Sequence, residues 1–214
     1  MYMKHVIIPF LLFALNAGAQ QSYLKLLDRL EAQRLSFDEA DYELAAQTLT
    51  TYMVDSIFPH WYGRPWTFEG HTNRPDQGEV ACGYFVSTTL KHAGMNLNRY
   101  RLAQLAATVG TKALDPTMHT LRNISPEQLK EHFAKNKKKG LYAVGLSYHA
   151  GFLYWDNEEL YFIHSNYMGP GAVEREIAVE SDALEQSTVY CIGQITHNKA
   201  LIAKWLKQQE IKIP

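Results

Sequence analysis

The sequence predicts an α+β domain, with helices in its N-terminal half and an antiparallel sheet in its C-terminal half. Three observations carry this expectation. Up to residue 139 apolar residues recur at spacings of three and four, the period of a helix with one buried face. After Gly140 the chain turns to short runs rich in β-branched and aromatic residues, with turn signals between them. The chain has 214 residues, 46% of them hydrophobic and 20% charged, which suits one compact domain with a substantial core.

The elements follow in order. Lys4 and His5 precede an apolar run, VIIPFLLFAL, and Ala17-Gly18-Ala19 follows with small residues. This reads as a secretory signal cleaved after Ala19. The run is shorter than the roughly 20 apolar residues a bilayer span needs, and no cysteine follows it for lipid attachment. The expected organisation is a signal at 1–19 and a single domain at 20–214, exported to a periplasm or out of the cell, with no stable membrane anchor. Residues 22–58 carry helical periodicity in at least two pieces. Tyr23, Leu26, Leu27 and Leu30 fit one face; Ala45, Leu49, Tyr52, Met53 and Ile57 fit the other piece. A loop follows, PHWYGRPWTFEGHTNRPDQGE, long enough that a functional role is the usual reason for it.

The stretch GEVACGYFVSTTLKHAG then predicts a helix starting near Cys82. Cys82, Phe85, Val86, Thr89, Leu90 and Ala93 share a stripe, and Gly94 supplies the stop. YRLAQLAATVG predicts one further helix, and residues 125–139 another, ending in the solvated basic patch KNKKKG. LYAVGLSYHAGFLYW, ELYFIHSNY, GAVEREIAV and TVYCIGQIT predict the sheet. A last helix is capped by Asn198.

Charge and cysteine content narrow the function. Lys and Arg number 21 against 22 Asp and Glu; without Lys4 the balance is 20 to 22, near −2. Nothing in that balance points to nucleic acid. Two cysteines are too few for a disulfide framework. Cys191, in an alternating strand pattern, fits a small buried apolar residue. Cys82 can equally be a packing residue or a nucleophile. A thiol at a helix N-terminus meets unpaired amides and the positive end of the dipole, both of which favour the thiolate.

A nucleophile needs a base, and the base an orienting partner. If Asn157 and Glu158 centre the turn in DNEE, residue numbers paired across that hairpin sum to 315. His149 then faces Asn166. His164 shares the face of His149 on a diagonal of roughly 7–8 Å between Cα atoms. A slip of one residue would separate the two rings. His60 and His71, in the long loop, can line a cleft or be solvated; the remaining histidines form no constellation. A zinc site from Cys82, His149 and His164 is possible by ligand type, but no closely spaced ligand pair anchors it.

These residues resemble the NlpC/P60 branch of the papain-like cysteine peptidases. YGRPWTFEGHTNRPDQGEVACGYFVSTTLKHAG is similar to that family's aromatic-glycine loop and cysteine-bearing helix, LSYHAGFLYW to its base-histidine strand, and YFIHSNYMGPGAV to the strand carrying the orienting residue. The likeness covers roughly residues 62–173. It implies a papain-like α+β fold, with the nucleophile helix packed on an antiparallel sheet and the N-terminal helices as an extension. It implies Cys82 as nucleophile, His149 as general base and acid, and His164 as orienting residue, with Asn166 as fallback. Trp66, Tyr62, Gly83 and Asn166 fall at substrate-binding positions. The implied substrate is a peptide or peptidoglycan fragment, and no cofactor or metal is implied. The family's usual Asp-Cys-Ser-Gly is here Ala81-Cys82-Gly83-Tyr84, which puts the usual substrate in question. A peptide hydrolase or acyltransferase on the same scaffold, and a catalytically silent binding domain, stay open. So does the oligomeric state.

Overall fold

A computed structural model describes residues 8–214, with side chains from residue 20 onward except that of Glu39. Helix α1 (Ile8–Leu35) leads through a short 3-10 turn to α2 (Tyr42–Tyr52). A π turn, Met53–Ile57, joins α2 to α3 (Phe58–Trp61), so the first residues predicted as loop end a helix instead. The expected signal lies partly outside the described residues, and the backbone of α1 runs helical through residue 19. Among the described residues no helix is long and apolar enough to cross a membrane.

Helix α4 (Cys82–His92) forms where its apolar stripe predicts, and Gly94 ends it at φ +88°. The single helix expected next is two, α5 (Arg99–Gln104) and α6 (Ala107–Leu114), because Leu105 and Ala106 adopt extended backbone between them. A four-residue edge strand that the sequence reading missed, β1 (His119–Arg122), precedes α7 (Pro126–Asn136). Ser125 and Gln128 close a capping box at the start of α7.

The rest of the sheet is β2 (Gly140–Leu146), β3 (Ala150–Trp155), β4 (Leu160–Ser165) and β5 (Val173–Ile177), then, beyond the short helix α8 (Asp182–Glu185), β6 (Val189–Gln194). Helix α9 (Lys199–Leu206) closes the chain, capped by Asn198 as expected. The six strands run in the order β1-β6-β2-β3-β4-β5, every pair antiparallel. The molecule is therefore α+β, with 46% of residues helical and 21% in strands.

Strand alternation divides the core in two. On one face Leu141, Ala143, Phe152 and Ile163 pack against Phe58, Phe85 and Leu90 from α3 and α4. On the other Tyr142, Val144, Leu153 and Phe162 pack against Leu129 and Phe133 of α7 and Leu184 of α8. Helix α1 docks at the C-terminal end of α4: Tyr23 bonds His92 at 2.9 Å and Trp61 at 3.1 Å. Buried Arg34 reaches the backbone oxygens of Trp205 and Leu206 in α9. The N-terminal helices thus brace α4 at the end opposite Cys82.

Candidate functional site

Three anchors set the position of Cys82. Ser165 at the end of β4 donates to the Val80 carbonyl at 2.6 Å, tying the loop before α4 to the sheet. Buried Arg99 holds the loop carbonyls of His71 and Thr72 together with the hydroxyl of Thr88 in α4. Gly83 fixes the third contact, since a Cβ there would lie 2.5 Å from the Ala103 carbonyl of α5. The residue assigned to substrate binding by resemblance is thus also a packing requirement. Gly83→Ala is expected to cost about 1–3 kcal/mol, read as a lowered urea midpoint, because α5 must move to admit the methyl.

Helix α4 starts without a side-chain cap. Ala81 precedes Cys82, and no side-chain oxygen accepts from the first amides. A Ser or Asp at that position would stabilise the helix by about 1 kcal/mol. Its absence leaves the first amides turned toward the sulfur, where those of Cys82, Gly83 and Ala150 all bear on the thiol.

The two histidines come together as the register argument requires. Gly151 pairs with His164 and Trp155 with Leu160, so both sums equal 315. His149 Nε2 lies 2.7 Å from His164 Nδ1, with the rings nearly perpendicular. One detail differs from expectation. The predicted single strand is a hairpin, and His149 sits in the turn just before β3, closed by the Leu146 amide donating to the His149 carbonyl at 2.8 Å. By alternation both rings belong to the sheet face carrying α7 and α8, whereas α4 packs on the other. The open end of the β2–β3 turn is where the two faces meet, and His149 and Cys82 line the same clefts there. Gly151 makes the ring pair possible: a Cβ there would meet Phe162 at 2.5 Å and His164 at 2.9 Å.

Sequence reasoning missed the next member. Glu176 on β5 accepts from His164 Nε2 at 2.9 Å. The string reads Glu176, His164, His149, and for neutral rings it sets the direction of each hydrogen bond. Burial raises the Glu176 carboxyl, but hydrogen bonds from His164 and Ser181 outweigh it and hold the group below the ordinary carboxylate range. As an anion Glu176 can only accept. With both rings neutral, His164 carries its proton on Nε2 and offers a lone pair at Nδ1. His149 donates from Nε2 to that lone pair, which leaves His149 Nδ1 unprotonated. That nitrogen is buried and has no hydrogen-bond partner.

Burial also decides the resting charge. It lowers the pKa of His149 well below the ordinary histidine value, and positive charge on the neighbouring His164 ring would lower it further. It raises that of Cys82, against the lowering effect of the Ala150, Gly83 and Cys82 amides. The thiolate expected from the helix end alone is therefore not the resting form; a thiol and a neutral imidazole share the cleft. Cys191 is 3% exposed, against Thr120, and both cysteines are free.

The other expected residues divide. Trp66 lines the cleft beside Cys82 with Tyr167, Tyr84 and His71. Tyr62 does not; it lines a separate depression with Arg175 and Pro170. Asn166 is buried, donating to Glu174 and accepting from the Met168 amide, and it is His164 that bonds His149. The zinc set of Cys82, His149 and His164 is not assembled among the described residues. His164, Glu174 and Glu176 do bring ligand atoms within 4.8 Å of one another, but the bonds to His149 and Asn166 account for that cluster. His60 bonds its own helix at the Ser56 carbonyl and stays exposed. Comparison with protein-family models, with curated proteins and with solved structures found no match.

Proposed function

We propose that this chain is a cysteine hydrolase that cleaves an amide bond through an acyl-thioester on Cys82. One observation carries the reading: a hydrogen-bonded string from an ionised carboxylate through two imidazoles ends on an unpaired nitrogen in the cleft that holds a thiol. A binding module has no need of a carboxylate and two imidazoles strung together beside a thiol. In the first step His149 Nδ1 takes the thiol proton as Sγ adds to the carbonyl carbon. The developing oxyanion is met by the amides at the uncapped start of α4. His149 then gives its proton to the leaving amine. Water, deprotonated by the same nitrogen, releases the acid and restores the thiol.

The resemblance to NlpC/P60 enzymes and the signal-like leader point to exported action on cell-wall peptides, and the test begins there. Purified peptidoglycan and muropeptides are incubated with the protein and read by mass spectrometry beside a known endopeptidase. Cleavage by the wild type and none by Cys82→Ala supports the reading. No cleavage where the control enzyme works removes this substrate.

The acid limb of the rate profile follows from His149. Its neutral form is the active one, and its pKa lies well below 6.5. Protonation therefore starts only well below that value. Initial rates are expected to stay level from about pH 8 to about pH 6, where an unperturbed histidine would already have cut them to about a quarter.

A further inference from the structure

Resting on the hydrolase reading, we infer that the substrate's acyl part is an uncharged aliphatic chain, held in a cavity between α5, α6 and the sheet. This cavity of 350 Å³ opens at Cys82 and His149 and runs back over Val86, Leu102, Leu105, Ala107, Leu114 and Ala143. It owes its existence to the break at Leu105 and Ala106, which swings α6 away from α5. Its far wall is fixed, since α6 lies so close on β2 that a Cβ at Gly145 would come within 2.4 Å of the Ala107 carbonyl.

The space is open to solvent at its mouth, with Ser147, Tyr148 and Thr108 among its polar lining, and its inner walls are mainly aliphatic. The lower end of ordinary ligand-site volumes is about 300 Å³. No Lys, Arg, Asp or Glu lines it. On the other side of Cys82 the cleft is different: 680 Å³, bounded by Trp66, Phe68, Tyr84 and Tyr167, with Glu69, His71 and Gln104 among its polar groups besides His149. Neither space presents a lysine or arginine. An anionic acyl part would find no cation to pair with in either space. A neutral chain meets no such difficulty.

The two spaces also have distinct jobs in the reaction. The acyl part stays covalently on Cys82 between the two half-reactions, so its chain must have a place that persists. The leaving amine must depart and water must arrive, and the wider aromatic cleft serves both. The balanced steps are these. The S–C bond forms as the thiol proton passes to His149. The C–N bond breaks as that proton passes to the amine. Water then adds, the S–C bond breaks, and the products are a fatty acid and the free thiol.

The test uses the full chain and p-nitrophenyl esters of acetate, butyrate and octanoate. p-Nitrophenolate release gives kcat/KM, and intact mass with peptide mapping locates the acyl group. Octanoate is expected to acylate Cys82 at least about tenfold faster than acetate, the gain from burying a few methylenes. Ala106→Trp, at the exposed rim, is expected to lower the octanoate-to-acetate ratio by a similar factor. Acylation of Cys82 with no preference for the longer chain overturns the acyl cavity and leaves the hydrolase reading intact. So does an Ala106→Trp ratio equal to the wild type. No acyl group on Cys82 from any ester overturns both.

Discussion

Cys82→Ala is expected to abolish hydrolysis completely while leaving the fold in place. Every step of the proposed reaction passes through the sulfur, and among the described residues no second cysteine lines the cleft. The cost to stability is small. Cys82 keeps intermediate exposure, and the substitution removes one polarisable atom at the first turn of a helix that Phe85 and Leu90 anchor. An unfolding midpoint within about 1 kcal/mol of wild type is expected. Cys191→Ala serves as the control: it removes a thiol from the packed interior and should leave turnover unchanged.

Glu176→Gln is expected to lower kcat by a factor on the order of 10² to 10⁴, with much less change in KM. The reason is the direction of protons along the string. The carboxylate can only accept, so with both rings neutral His164 Nδ1 and His149 Nδ1 are lone pairs. A glutamine can present its amide group instead. His164 would then take that proton bond at Nε2 and carry its own proton on Nδ1. His149 would have to accept at Nε2 and place its proton on Nδ1, the nitrogen proposed to take the thiol proton. One isosteric change thus reverses two rings. His164→Ala removes the same constraint and also leaves His149 Nε2 without a partner, so it should be at least as damaging. Nitrogen-15 chemical shifts of the two imidazoles separate this role from a merely structural one: Glu176→Gln should exchange the protonated and unprotonated nitrogens of His149, while a purely structural role predicts unchanged tautomers.

What the sequence disclosed depended on local constraint. The β3–β4 register was readable because the turn Asp156 to Glu159 is tight and its side chains secure it, Asp156 accepting from the amides of Glu158 and Glu159. That one constraint brought His149 and His164 together on paper. Glu176 was hidden because the connection from β4 to β5 is long and irregular, with Gly169 and Gly171 at positive φ, and no pairing rule crosses it. The alternation of Glu174 and Glu176 was visible; the face they share with His164 was not. The break at Leu105 and Ala106 went unseen because both residues favour helix and neither Gly nor Pro marks it. Strand β1 offers no apolar alternation, since three of its four residues are exposed. The protonation of Cys82 was misjudged for a different reason. A helix end is legible in sequence, whereas the burial that opposes it belongs to the tertiary fold.

The rate of Cys82 alkylation by iodoacetamide, followed by peptide mass against pH in wild type and His149→Ala, tests the central claim most directly. With a raised thiol pKa and a base in the same cleft, wild-type Cys82 should react faster than Cys191 and keep a plateau of reactivity below the thiol's own titration, supplied by proton transfer to His149. In His149→Ala that plateau should vanish, leaving a rate that climbs only as the free thiol ionises. Equal labelling of the two cysteines, or a Cys82 profile indifferent to His149, would contradict the account.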